Sequence, residues 1–94
     1  MIPKTLNLTL TKGDTWEINF PIRNLIGSTI FAQIKNKGMD FSMSFNSTIT
    51  TNNLLLSMSA SNTNTLKESF YLYDVRVKRG STIKTEYRGA IYIL

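Results

Sequence analysis

The sequence predicts an all-β fold: an antiparallel, Ig-like β-sandwich of about seven strands with one short helical turn. Three observations lead there. Apolar and polar residues alternate with a period of two along most of the 94 residues. Turn-forming Gly, Asn, Asp and Ser interrupt that alternation again and again. Only one segment departs from strand-like patterning. The length fits a single domain, 1–94, with no linker and no internal repeat.

The elements follow in order. Leu6, Leu8 and Leu10 alternate with Asn7, Thr9 and Thr11, and Lys12-Gly13-Asp14 then reads as a turn. Trp16, Ile18, Phe20 and Ile22 form the next apolar face. Pro21 lacks an N–H, so it marks an edge or a strand end. A turn at 24–28 leads to Ile30, Ala32 and Ile34, and Asn36-Lys37-Gly38 breaks the chain again. Phe41, Met43 and Phe45 alternate with Ser42, Ser44 and Asn46, with Ile49 continuing at the same parity. Leu54, Leu56 and Met58 follow the turn at 51–53.

Residues 59–67 lose the alternation. One helical turn fits there, with Ser61 or Asn62 as N-cap and Leu66 facing inward. Tyr71, Tyr73, Val75 and Val77 then give the strongest strand signal. Arg79-Gly80-Ser81 reads as a hairpin turn, and 83–94 returns as a long strand. Gly89 lies inside that strand, where it marks a bulge. The apolar run Ala90-Ile91-Tyr92-Ile93-Leu94 is expected to be tied into a sheet or an interface. The strand around 6–10 reads as an edge with few charges to discourage pairing. Homo-oligomerisation through that edge is therefore an expectation.

Composition excludes several chemistries. There is no Cys and no His, which removes disulfides, thiol catalysis, imidazole or thiolate metal sites, and His-dependent triads. Asp14 and Glu17 lack a calcium-loop context, and Asp14 reads as a turn residue. Glu68, Asp74 and Glu86 offer carboxylates, but Asp74 is read as sitting beside Arg76 and Lys84, as a cross-strand ion-pair member. No phosphate-loop glycine spacing occurs. Two Asn-x-Thr sequons, at Asn7 and Asn46, read as chance matches. No catalytic residue, metal or cofactor is assigned, and the reading is not an enzyme. No run reaches the ~20 apolar residues of a membrane helix, and residues 1–11 do not read as a secretory signal.

The polar surface is largely uncharged, because Ser, Thr and Asn contribute 9, 12 and 9 residues while charged residues are 18%. Net charge is nevertheless +5. Its densest group is Arg76, Lys78 and Arg79, which Lys84 and Arg88 of the following strand would join. A solvated face or an acidic protein partner explains such a group, and so does nucleic acid. Among the aromatics, Phe31 and Phe70 fall out of phase with the inward sets and read as exposed interface residues. The residues assigned to partner binding are thus Phe31, Phe70, Arg76, Lys78 and Arg79, with the terminal strands.

The order of motifs resembles a small β-sandwich domain of tailed-bacteriophage virion proteins, found at the N-terminus of upper baseplate proteins and as stand-alone accessory subunits. Three segments carry the resemblance. The first is Leu10-Thr11-Lys12-Gly13-Asp14-Thr15-Trp16 with Ile18, Phe20 and Ile22. The second is Ser28-Thr29-Ile30-Phe31-Ala32-Gln33-Ile34-Lys35. The third is Phe70-Tyr71-Leu72-Tyr73-Asp74-Val75-Arg76-Val77, closed by Tyr87-Arg88-Gly89-Ala90-Ile91-Tyr92-Ile93. Glu68-Ser69 stands where the family often has Gly. The resemblance implies a structural protein of the virion, made in the host bacterial cytoplasm. It would bind capsid, fibre or baseplate proteins as a decoration or anchoring subunit, without membrane contact. Two other readings stay open. One is a small basic β-barrel that binds single-stranded nucleic acid with exposed aromatics. The other is a carbohydrate-binding module using Trp16 or Tyr92.

Overall fold

The computed structural model describes residues 3–38 and 41–94. The strands are β1 (Lys4–Thr5), β2 (Leu8–Leu10), β3 (Trp16–Pro21), β4 (Thr29–Lys35), β5 (Ser42–Ser44), β6 (Asn46–Ile49), β7 (Asn53–Met58), β8 (Phe70–Arg79) and β9 (Thr82–Ile93). One helical turn, α1 (Ala60–Thr63), precedes β8. The larger sheet has the order β1-β9-β8-β4-β5, with β2 also on β9, and the smaller is β3-β7-β6. The fold is an all-β sandwich. The expected domain, 1–94, includes residues 1–2 and 39–40, which lie outside the described residues.

One of the seven expected strands is divided and a two-residue strand precedes the first, which gives nine among the described residues. The run from Phe41 to Ile49 serves both sheets. β5 pairs with β4, while β6 pairs with β7. Between them Phe45 is buried, and its N–H donates to the Ala32 carbonyl at 3.0 Å. Chain crossing at such a corner ties two layers together.

Of the expected run 6–10 only 8–10 is strand, and β1 precedes it across a break at Leu6-Asn7. β1 and β2 both pair with β9, and they do so in parallel, with Lys4 opposite Tyr87 and Leu8 opposite Ile91. The sandwich is therefore not purely antiparallel. At the break the Asn7 side-chain carbonyl takes the Ala90 N–H at 3.1 Å. Leu8 and Leu10 are buried as expected, but Leu6 is 40% exposed. A Cβ on Gly89 would overlap the Leu6 carbonyl backbone. Gly89 thus marks the close approach of another strand rather than a bulge.

The bulge lies elsewhere. In the β8–β9 pair Val75 faces Tyr87 but Arg76 faces Thr85, so Glu86 is the extra residue. Gly80, with φ of 61°, and Ser81 close the hairpin between paired Arg79 and Thr82. A two-residue loop opening on a positive-φ glycine suits the strand twist.

The core lies between the sheets. Tyr71, Tyr73, Val75 and Val77 of β8 meet Phe20, Leu54, Leu56 and Met58 of the smaller sheet, all buried. Phe20 packs on Tyr87 at 4.7 Å between ring centroids. Trp16 stacks on Phe45 at 5.5 Å, and its Nε1–H donates to the Thr9 carbonyl. Trp16 is thereby built into the junction between β2 and β3.

The helical turn is capped by Ser59, whose hydroxyl accepts the Asn62 N–H at 3.2 Å. Ser61 and Asn62, the expected caps, lie inside the turn. The turn begins at once after β7, so the first polar residue past Met58 takes the cap. Leu66 is buried beneath it as expected. Thr63 is fully buried and joins the turn to the 11–14 loop. Its hydroxyl accepts from the Gly13 N–H at 3.1 Å and donates to the Asp14 carbonyl at 2.8 Å. Asp14 is a turn residue through its backbone, its N–H donating to the Thr11 carbonyl.

Candidate protein-binding face

The outer face of the larger sheet follows from strand parity. Residues paired across antiparallel strands share a face, so the partners of exposed β8 residues are also outward. On β8 these are Phe70, Leu72, Asp74, Arg76 and Lys78, while Tyr71, Tyr73, Val75 and Val77 are buried. Opposite them on β9 stand Tyr92, Ala90, Arg88, Thr85 and Ile83. On β4 stand Lys35, Gln33, Phe31 and Thr29.

This face carries an unusual share of exposed apolar side chains. Phe31 is 39% exposed, Leu72 43%, Ile83 53% and Tyr92 46%. Phe70 is half-buried against Tyr92, with ring centroids 6.4 Å apart. The Arg76 guanidinium lies over the Phe31 ring, 5.9 Å from its centroid. Such a contact is worth roughly 0.5–1 kcal/mol at an exposed site.

The centre of the face is polar and incompletely satisfied. Asp74 was expected in a cross-strand ion pair. It stands opposite Arg88 and Gln33, yet no ion pair to it forms among the described residues. Its Oδ1 is buried and accepts no hydrogen bond, and the buried Nε of Arg76 donates none. An unsatisfied buried polar group costs about 1–3 kcal/mol, more when charged. Beside Asp74 is a depression of about 330 Å³, whose lining includes Lys35, Leu72, Arg88 and Gly89.

Four of the five assigned contact residues, Phe31, Phe70, Arg76 and Lys78, come together on this face. Arg79 does not. It has the parity of Val77 and sits on the opposite side, pairing with Thr82. Its Nη2 donates to the Arg23 carbonyl at 2.9 Å, and its Nη1 lies 3.9 Å from Glu86 Oε2. Arg79 therefore braces the loop between β3 and β4. Lys84, expected beside Arg76, stands opposite buried Val77 and also leaves the group. Arg88 joins it, because the bulge at Glu86 reverses the parity of β9.

Leu72 is not among the assigned contact residues, while Ile83 and Tyr92 enter only through the terminal strand 83–94 and, for Tyr92, the carbohydrate reading. The signal for Leu72 is its parity with Phe70, and for Ile83 its place opposite Lys78 across the two-residue Gly80-Ser81 turn. Glu68, Asp74 and Glu86 do not converge, since Asp74 is on the outer face and Glu86 reaches Arg79 on the other side. No group of three or more Asp or Glu that could hold a metal occurs among the described residues. No helix among them is long and apolar enough to cross a membrane.

One buried hydroxyl has a shifted titration. Burial, and secondarily the neighbouring Tyr87, push Tyr73 up to about 12. Its O–H donates to the Leu6 carbonyl at 2.5 Å. Tyr73 is thus an anchor for the first strand.

The strand edges are also defined. β1 and β2 form one edge of the larger sheet and β5 the other, while β3 and β6 are the edges of the smaller. The expected free edge near the N-terminal strand is therefore an edge in the fold. No protein-family model matches the chain, and no curated protein matches it.

Proposed function

We propose that this chain is a binding subunit of a tailed-bacteriophage particle, which docks on another virion protein through the outer face of its larger sheet. One observation carries the binding part of this reading: exposed Phe31, Leu72, Ile83 and Tyr92 surround the unsatisfied Asp74 and Arg76 atoms on a single face. Aromatic and arginine side chains dominate binding energy in protein interfaces. A partner that covers this face removes apolar area from water. The face carries Lys35, Arg76, Lys78 and Arg88 against Asp74, so it favours a partner with a net negative patch.

The virion setting rests on the motif resemblance in 10–22, 28–35 and 70–93. Within it the subunit decorates a capsid or anchors a fibre, tail or baseplate component. It performs no catalysis and travels with the particle after synthesis in the bacterial cytoplasm.

The test is mass spectrometry with copy-number determination on gradient-purified particles from cells that encode the chain. Co-purification at high copy is expected of a capsid decoration protein, and at low copy of a tail, neck or baseplate component. Presence in infected cells but absence from particles sinks the virion reading. A Leu72→Asp variant should be folded yet missing from particles. Its normal incorporation would show that the outer face is not the docking surface.

A further inference from the structure

The net charge divides unevenly over the molecule. From Phe41 to Leu66 there is no charged residue at all, so β5, β6, β7 and α1 are neutral. The outer face of the larger sheet takes part of the basic excess. A second, separate part gathers at one end of the sandwich.

There a cleft of about 600 Å³ opens between the two sheets. Lys4 of β1, Arg23 of the β3–β4 loop, and Arg79 and Lys84 of the β8–β9 hairpin line it. Glu86 is the one acid among its lining residues. Four cations thus come from three segments far apart in sequence. Arg79 is held by the Arg23 carbonyl and by Glu86. Lys4 Nζ lies over the Tyr87 ring at 5.8 Å. Arg23 and Lys84 are exposed, and neither side chain has an ion-pair partner among the described residues.

We infer that this cleft binds an acidic polypeptide segment, rich in Asp or Glu, of a partner protein. Charge complementarity is the first reason, since a concave site lined by one sign of charge concentrates the opposite sign. The choice of polypeptide over nucleic acid rests on the remaining lining. No open aromatic face is offered to a base, because Tyr87 is buried and capped by Lys4. Stacking platforms are what single-stranded nucleic acid sites add to their cations. The cleft instead offers Asn24 and Asn52. The Asn52 Oδ1 accepts the Asn24 N–H, and the Asn52 amide carries two further N–H donors of the kind that pair with peptide carbonyls. Pro21 and Ile22 supply the apolar contact. This site is separate from the outer face, and either can fail without the other.

The probe is a fluorescently labelled decaglutamate peptide, titrated with the full chain at low salt and followed by anisotropy. Saturable binding is expected, lost on raising salt to about 0.5 M because exposed charges are then screened within a few ångströms. Arg23→Glu and Lys84→Glu should each weaken it roughly 5- to 10-fold, in line with reversing one exposed charge contact. Lys67→Glu, outside the cleft, should leave it within twofold. Arg23 enters the fold through its backbone carbonyl and Lys84 through its backbone in the β8–β9 ladder, both of which the substitutions keep, so both variants should unfold with the wild type.

Two results overturn the inference. One is absence of saturable peptide binding at low salt, or equal weakening by Lys67→Glu. The other is displacement of the peptide by a single-stranded oligonucleotide of equal charge that binds more tightly, which would make the cleft a nucleic-acid site.

Discussion

The Tyr73 hydroxyl reaches across 67 residues of sequence to the Leu6 carbonyl at 2.5 Å, so the third strand of the larger sheet holds the first through the one between them. The same carbonyl lies against the backbone of Gly89. Removal of the hydroxyl in Tyr73→Phe leaves that carbonyl without its side-chain donor. A loss of about 1–2 kcal/mol is expected, read from urea unfolding at neutral pH.

The same hydroxyl gives a pH signature. Its folded value of about 12 lies above the ordinary 10, so the unfolded chain releases the proton first. The stabilisation is present in full below pH 10 and is lost as pH rises towards 12. Wild type should lose roughly 1–2 kcal/mol more than Tyr73→Phe over that interval. Parallel pH dependence in the two proteins would remove Tyr73 as the cause.

Gly89→Ala should be disproportionately harmful for one methyl group. Its Cβ has backbone, not a flexible side chain, in the way. We expect at least about 1–3 kcal/mol of destabilisation, with faster hydrogen exchange at the Leu6 and Ala90 amides. Both amides donate across this junction.

Thr63→Val keeps the shape of a fully buried side chain and deletes its hydroxyl. The Gly13 N–H and the Asp14 carbonyl both lose a partner. A cost of about 1–3 kcal/mol is expected, with Thr63→Ser close to wild type. Calorimetry on the two variants distinguishes a hydrogen-bonding role from mere filling of space.

Arg79→Ala separates the two basic groupings. It should cost about 1 kcal/mol through the freed Arg23 carbonyl and the lost contact with Glu86. It should leave docking by the outer face unchanged. Phe31→Ala should do the reverse, with stability within about 0.5 kcal/mol of wild type and weaker incorporation into particles.

Much of the fold was legible because period-two alternation survives in the sequence. Tyr71 to Val77 alternate cleanly, and the structure buries all four inward residues. The outward phase of Phe31 and Phe70 was legible for the same reason. Arg79 was grouped with Arg76 and Lys78 by proximity, although its odd number already matched Val77. Lys84 and Arg88 share parity and still point to opposite faces. A single extra residue, Glu86, reverses the strand between them, and nothing in its neighbours announces a bulge. Leu72 and Ile83 look like core residues by type, so only their pairing partners reveal them as surface. The roles of Asn7 and Gly89 depend on a strand more than eighty residues away, and local pattern contains no trace of that contact.

The parallel pairing of β2 with β9 also sets an order of events in the cell. Leu8 finds its partner only when Ile91 exists, so the earliest strand waits while the rest of the domain is synthesised. Strands β3 to β7 can assemble with one another and with β8 meanwhile, while β8 still lacks its other neighbour, β9. During that wait Leu8, Leu10 and the uncharged edge around them are open to other nascent chains, the condition in which strand exchange and aggregation begin. Closure of the last hairpin ends the exposure. A ribosome that pauses before residue 82 should therefore release less folded protein than one that pauses soon after residue 20.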